Sequence, residues 1–135
     1  MAKDILVAES LSDSMIKAGA KLIERLDTEQ AEIKSAFWVY FSEDKAWKLI
    51  IASPLVDSLG PREFYRKVVK ANSDASQEEE VISLNHIGVT NTANQIAQLL
   101  KIAIGTVDGI SGIRFSRNTI NGHFIEDSYI YRSNL

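Results

Sequence analysis

The run Ala36-Phe-Trp-Val-Tyr-Phe-Ser42 constrains the fold of this chain more than any other stretch. Side chains alternate along an extended strand, so Phe37, Val39 and Phe41 point one way while Trp38 and Tyr40 point the other. A strand that is apolar on both faces must be covered on both, which calls for a layered core. After the turn-forming Glu43-Asp44-Lys45, a second train follows, Trp47-Lys-Leu-Ile-Ile-Ala-Ser53. Two β-branched and aromatic runs bounded by polar residues read as a β-hairpin. Both tryptophans of the chain lie in it.

Helices to cover this hairpin are legible on either side of it. Leu11, Met15, Ala18, Leu22 and Leu26, widened by Ile16 and Ile23, recur with the period of an amphipathic helix and predict one from about Ser12 to Asp27. Core packing accounts for this stripe more simply than a coiled coil, because two heptads are too few to specify one. Ser53 to Pro61 reads as a loop. Gly60-Pro61, with Glu63 in the first turn, then opens a second helix to about Ala71. Asn72 to Glu80 is the most polar stretch and reads as a surface loop. Val81 to Leu84 follows as a short buried strand. Thr92-Ala-Asn-Gln95 matches a capping box, which starts a third helix carrying Ile96, Leu99, Leu100 and Ala103, with Gly105 placed to end it.

Asn121-Gly122, between Ile113–Ile120 and His123–Tyr131, is a strong two-residue hairpin signal. If these two residues form the turn, Arg117 stands opposite Glu126 and Phe115 opposite Ser128, and the first pairing unites opposite charges. The expected fold is a single α+β domain over residues 1–135. It has a mostly antiparallel sheet of about five strands packed by three helices, in the order α-β-β-α-β-α-β-β.

Composition narrows the function classes. With 135 residues the chain is long enough to bury roughly two-thirds of the surface that its unfolded form exposes. It has no cysteine, which removes disulfides, thiolate nucleophiles and Cys-based zinc or iron–sulfur sites. Glu9 arrives before a signal-peptide apolar run has formed, and no stretch approaches the roughly 20 apolar residues of a membrane span. The expectation is a soluble protein of the cytoplasm without a membrane partner. A formal charge of −3 disfavours nucleic acid, whose affinity comes from clustered Lys and Arg.

Four constellations are candidates for function. His123, Glu126 and Asp127 with Arg114 and Arg117 make the densest grouping of acid, base and cation, fit for general acid–base work on a phosphoester. Strict alternation places His123 and Asp127 on one face and Glu126 on the other, and an exposed Arg117–Glu126 pair beside a solvated His123 is the simpler reading. His86 could join His123 at a metal only if the fold brought them together. With two histidines this far apart in sequence, no metal or cofactor is expected. Arg62, Arg66, Lys67 and Lys70 form a basic helix stripe that could hold an anion or nucleic acid, or be a solvated face neutralised by Glu78, Glu79 and Glu80. Trp38, Tyr40 and Trp47 could line a ligand pocket or a subunit interface, with core packing as the default. Gly109-Ile-Ser-Gly112 is one residue short of a nucleophile elbow, and these glycines read as turns. The leading expectation is therefore association, as a homodimer or with another protein. A small hydrolase built on the His123 hairpin and an anion or nucleic-acid binder built on the basic stripe are the alternatives.

Overall fold

The computed structural model describes residues 5–6, 10–75, 81–106 and 109–135. In chain order the elements are β1 (Ile5–Leu6), α1 (Asp13–Thr28), β2 (Ser35–Phe41), β3 (Ala46–Ala52), α2 (Leu55–Leu59), α3 (Pro61–Ser73), β4 (Val81–Ile82), β5 (Ile87–Thr90), α4 (Gln95–Ala103), β6 (Ile113–Ile120) and β7 (His123–Ser133). A 3-10 turn, Leu84–His86, joins β4 to β5. The fold is α+β. Its main sheet has the order β5-β3-β2-β7-β6, and β1 with β4 makes a separate parallel pair.

The five-stranded sheet is mixed, where a mostly antiparallel one was expected. The β3–β2, β2–β7 and β7–β6 pairs are antiparallel, but β5 lies parallel to β3. A parallel neighbour needs a long crossover, and the segment holding α2 and α3 supplies it. Four helices stand where three were expected, because Leu55–Leu59, read as loop, forms a short helix whose Val56 is buried. Of the strand expected at Val81 to Leu84, Val81–Ile82 is extended and pairs with β1 while Leu84 starts the 3-10 turn; Ile87–Thr90, which was not expected as a strand, joins the main sheet.

The two-sided β2 is covered as its pattern demands. Ala36 and Trp38 pack with Trp47, Leu49 and Ile51 of β3 and Tyr131 of β7 beneath Met15, Leu22, Leu26, Phe64 and Val68 of α1 and α3. Phe37 and Val39 pack on the other side with Ile130 beneath Ala97, Leu99 and Leu100 of α4. One face thus carries two long helices and the opposite face a single helix of nine residues.

Local chemistry sets the element ends. Ser12 caps α1, its hydroxyl accepting from Met15 N at 3.2 Å, and Pro61 opens α3 as expected. For α4 the cap is Asn94, which accepts from Ala97 N at 3.0 Å. The Thr92–Gln95 box is not the device used. The Asn91 side chain instead closes a turn onto Ala93 N at 3.0 Å. Nor does a left-handed glycine end α4: Ile104 leaves it in extended conformation. In the last hairpin Asn121 and Gly122 take φ of 48° and 79°, both positive as a type I′ turn requires. The register follows from it, with Phe115 opposite Ser128.

Two buried polar connections tie the layers together. Trp38 Nε1 donates to the Tyr131 hydroxyl at 2.8 Å, which donates to Ile16 O at 2.6 Å. Sheet and α1 are thereby joined through the core. Burial pushes the Tyr131 phenol well above its ordinary range. Gly19 leaves room for that hydroxyl, since a Cβ there would collide with it. Arg132, 4% exposed, forks onto Asp27 at 2.9 and 2.8 Å and donates to the carbonyls of Ile33 and Gly109 at 3.1 and 3.2 Å.

Candidate functional site

Strict alternation fails at one position of the last hairpin, and that failure builds the site. Ile113 and Phe115 of β6 face the α4 side, but so does Ile120, which has the opposite parity. On β7 the α4-facing residues are likewise Ile130 and Ile125. Both strands therefore change face between these residues. The ladder is unbroken on either side, from Ser116 opposite Asp127 to Asn118 opposite Ile125, and omits only Arg117 and Glu126. Arg117 has φ of 50°, the one left-handed residue inside a strand among the described residues. A left-handed residue turns the pleat over, so the neighbours Glu126 and Asp127, which an ideal strand would send to opposite faces, line one depression.

That depression has a volume of about 480 Å³ and opens between the two hairpins. Tyr40 and Trp47 border it from β2 and β3, Arg114 and Arg117 from β6, and Glu126 and Asp127 from β7, with Ser10 and Leu11 at its rim. Four of the five residues of the expected hydrolase cluster, all but His123, and two of the three expected interface aromatics thus line one place. Arg114 forks onto Asp127, Nε to Oδ1 at 2.7 Å and Nη2 to Oδ2 at 2.5 Å. Its guanidinium lies 5.4 Å from the Trp47 ring centre, within cation–π range. The hydrogen bonds from Arg114 hold the Asp127 carboxyl below its usual range, with lesser help from Ser128 N and the Arg117 charge. A carboxylate held ionised by a bidentate cation is a weak general base. Among the described residues neither Arg117 nor Glu126 has an ion-pair partner, although they stand opposite each other.

The other expected site residues lie elsewhere. His123 is on the α4 side, its Nε2 3.3 Å from the amide nitrogen of Gln95. The face change thus separates His123 from Asp127, which alternation had placed together. His86 precedes β5, and β3 and β2 intervene before β7. At about 4.8 Å per strand, the two histidines are separated laterally by on the order of 14 Å. Among the described residues no group of three potential ligands could hold a metal.

In the basic stripe, Arg66 pairs with Glu63 at 2.8 Å, and Lys70 pairs with Glu29 at 2.9 Å and Asp74 at 3.6 Å. These contacts raise the Lys70 pKa, the Glu29 hydrogen bond most. Arg62 is exposed and Lys67 half-buried. Half of the stripe is thus engaged by carboxylates, Glu63 and Asp74 at helical spacing and Glu29 from a distant part of the chain, while Glu78, Glu79 and Glu80 lie outside the described residues. Trp38 has no exposed surface and Trp47 is 4% exposed, so of the three expected interface residues only Tyr40 offers appreciable surface. Packing under α1 and the Tyr131 hydrogen bond explain the loss of Trp38.

A second concavity, of about 450 Å³, lies on the α4 side. Phe41, Ile96, Leu99 and Ile125 give it an apolar lining, and Phe124 stands at its edge with 63% exposure. Ile102, on the outer side of α4, is 62% exposed. Sequence reasoning passed over Phe124 because it sits in a strand whose other apolar residues pack inward. The available signal was its place two residues past the Asn121-Gly122 turn, at the tip of the hairpin. No protein family, curated protein or solved structure matches the chain.

Proposed function

We propose that this protein acts by association, as a homodimer joined through its α4 face. The observation that supports the reading is Phe124, a large apolar side chain that is 63% exposed and borders an apolar groove. A knob and a groove side by side are what a two-fold axis makes reciprocal: Phe124 of each copy enters the groove of the other. The thin cover on this side of the sheet, one nine-residue helix, leaves the groove open to a second copy. Desolvating two phenylalanines and two Ile102 side chains supplies the kind of apolar centre on which stable interfaces depend. The aromatic hairpin, expected as the interface, instead supplies the internal wall of the fold.

The test is the solution mass by light scattering across a dilution series, on the natural chain and on Phe124→Asp. A dimer that becomes a monomer on substitution, with an unchanged circular dichroism spectrum, is the expected result. A natural chain that stays monomeric at millimolar concentration, or a dimer indifferent to Phe124→Asp and Ile102→Asp, would sink the proposal.

A further inference from the structure

The depression between the hairpins carries two charges that have no ion-pair partner among the described residues. Arg114 and Asp127 satisfy one another. Arg117 and Glu126 do not pair, and the backbone explains why. Cross-strand neighbours normally direct their side chains alongside each other, but the positive φ of Arg117 swings its side chain away from that vector. A non-glycine residue in this conformation is costly, and such residues persist where the surroundings impose them, often at sites of function. Glycine would fit here without that cost. The chain instead places an arginine, whose charge contributes to holding Asp127 ionised and so acts within the depression.

We infer that the depression binds a small zwitterion of the α-amino acid class, Arg117 taking the carboxylate and Glu126 the ammonium group. A cation and an anion on facing strands, neither ion-paired among the described residues, beside the half-buried Tyr40, match a ligand that carries both charges and an apolar side chain. A simple anion fits worse, because Glu126 would repel it. A simple cation meets the same objection from Arg117. Arg114, fastened to Asp127 and stacked on Trp47, keeps the nearer carboxylate occupied and the wall of the site rigid. Glu126 and Tyr40 border both the depression and the α4 groove, whereas Arg117 borders the depression and not the groove, so substitutions at Arg117 test this inference without altering the lining of the dimer face.

The experiment is a two-dimensional NMR titration of the full chain with L-leucine, N-acetyl-L-leucine and L-leucinamide, following the backbone amides of residues 114–117 and 126–127. Saturable shifts with leucine are expected, with affinity weaker by roughly tenfold or more for each blocked analogue, as loss of one charge-assisted contact implies. Arg117→Gln should abolish the shifts. Arg117→Gly serves as the second variant: it relieves the left-handed residue, so it should fold at least as stably as the natural chain and yet fail to bind. Either analogue binding as well as leucine, or leucine binding that survives both substitutions, would overturn the inference. So would an absence of shifts with leucine at about 10 mM, a concentration that would reveal even millimolar affinity.

Discussion

At the scale of the residue, the core is pinned by polar groups that have a single arrangement available to them. The Trp38 indole N–H has no water to turn to, and the Tyr131 oxygen both receives it and passes a hydrogen bond to α1. Tyr131→Phe strands that donor in the core and should cost about 1–3 kcal/mol in urea-induced unfolding. Trp38→Phe made together with Tyr131→Phe removes both partners and should recover part of the loss. At the surface, Arg114 holds Asp127 below its normal carboxylate range. A depressed folded pKa stabilises the fold above the unfolded value, near pH 4, and that contribution disappears as pH falls through the lower folded value. Arg114→Gln should return the Asp127 titration toward pH 4, read from its side-chain carbon resonance. A midpoint unmoved by the substitution would show that the fork does not hold in solution.

At the scale of the element, the last hairpin depends on two backbone devices of different origin. Its turn is local chemistry: Asn121 and Gly122 both take positive φ, and the pairings on either side follow from that geometry. Gly122→Ala places a Cβ in the left-handed region and should destabilise the protein by about 1 kcal/mol, measured as a lowered urea midpoint at unchanged slope. The face change at Arg117 has no such local signature, because nothing in Ser116-Arg-Asn118 favours a left-handed arginine over a regular strand. The reason is tertiary. Ile113 and Phe115 must meet Ile130 beneath α4, and Ile120 and Ile125, of the other parity, must reach that same layer. One turned residue reconciles the two halves, which is why Glu126 and Asp127 share a depression and His123 leaves it.

At the scale of the whole molecule, Arg132 ties distant parts of the chain. It joins the end of α1, the Ile33 carbonyl before β2 and the loop at Gly109 around a nearly buried guanidinium. Asp27→Ala removes its counter-charge and leaves the guanidinium only carbonyl acceptors. Uncompensated buried charges cost about 3–5 kcal/mol, and the partial exposure of Asp27 reduces this to about 2 kcal/mol. Thermal unfolding should register the loss as a lower midpoint. An unchanged midpoint would mean that water replaces the carboxylate at no cost.

Periodicity and turn chemistry determined much of this protein without reference to its tertiary contacts. The span of α1, the proline start of α3, the β2–β3 hairpin with its two apolar faces, and the β6–β7 turn with its register are all written in spacings of a few residues. Those features depend on local φ/ψ preference and on the period of apolar burial. Only the tertiary structure decided that β5 runs parallel to β3, that Trp38 is sealed beneath α1, that the distant Glu29 joins the nearby Asp74 on Lys70, and that Phe124 is largely exposed. Each of these depends on which segments meet across the molecule. The depression belongs to the second class as well: its six principal side chains come from four strands, and the left-handed Arg117, imposed by packing beneath α4, brings Glu126 and Asp127 to one side.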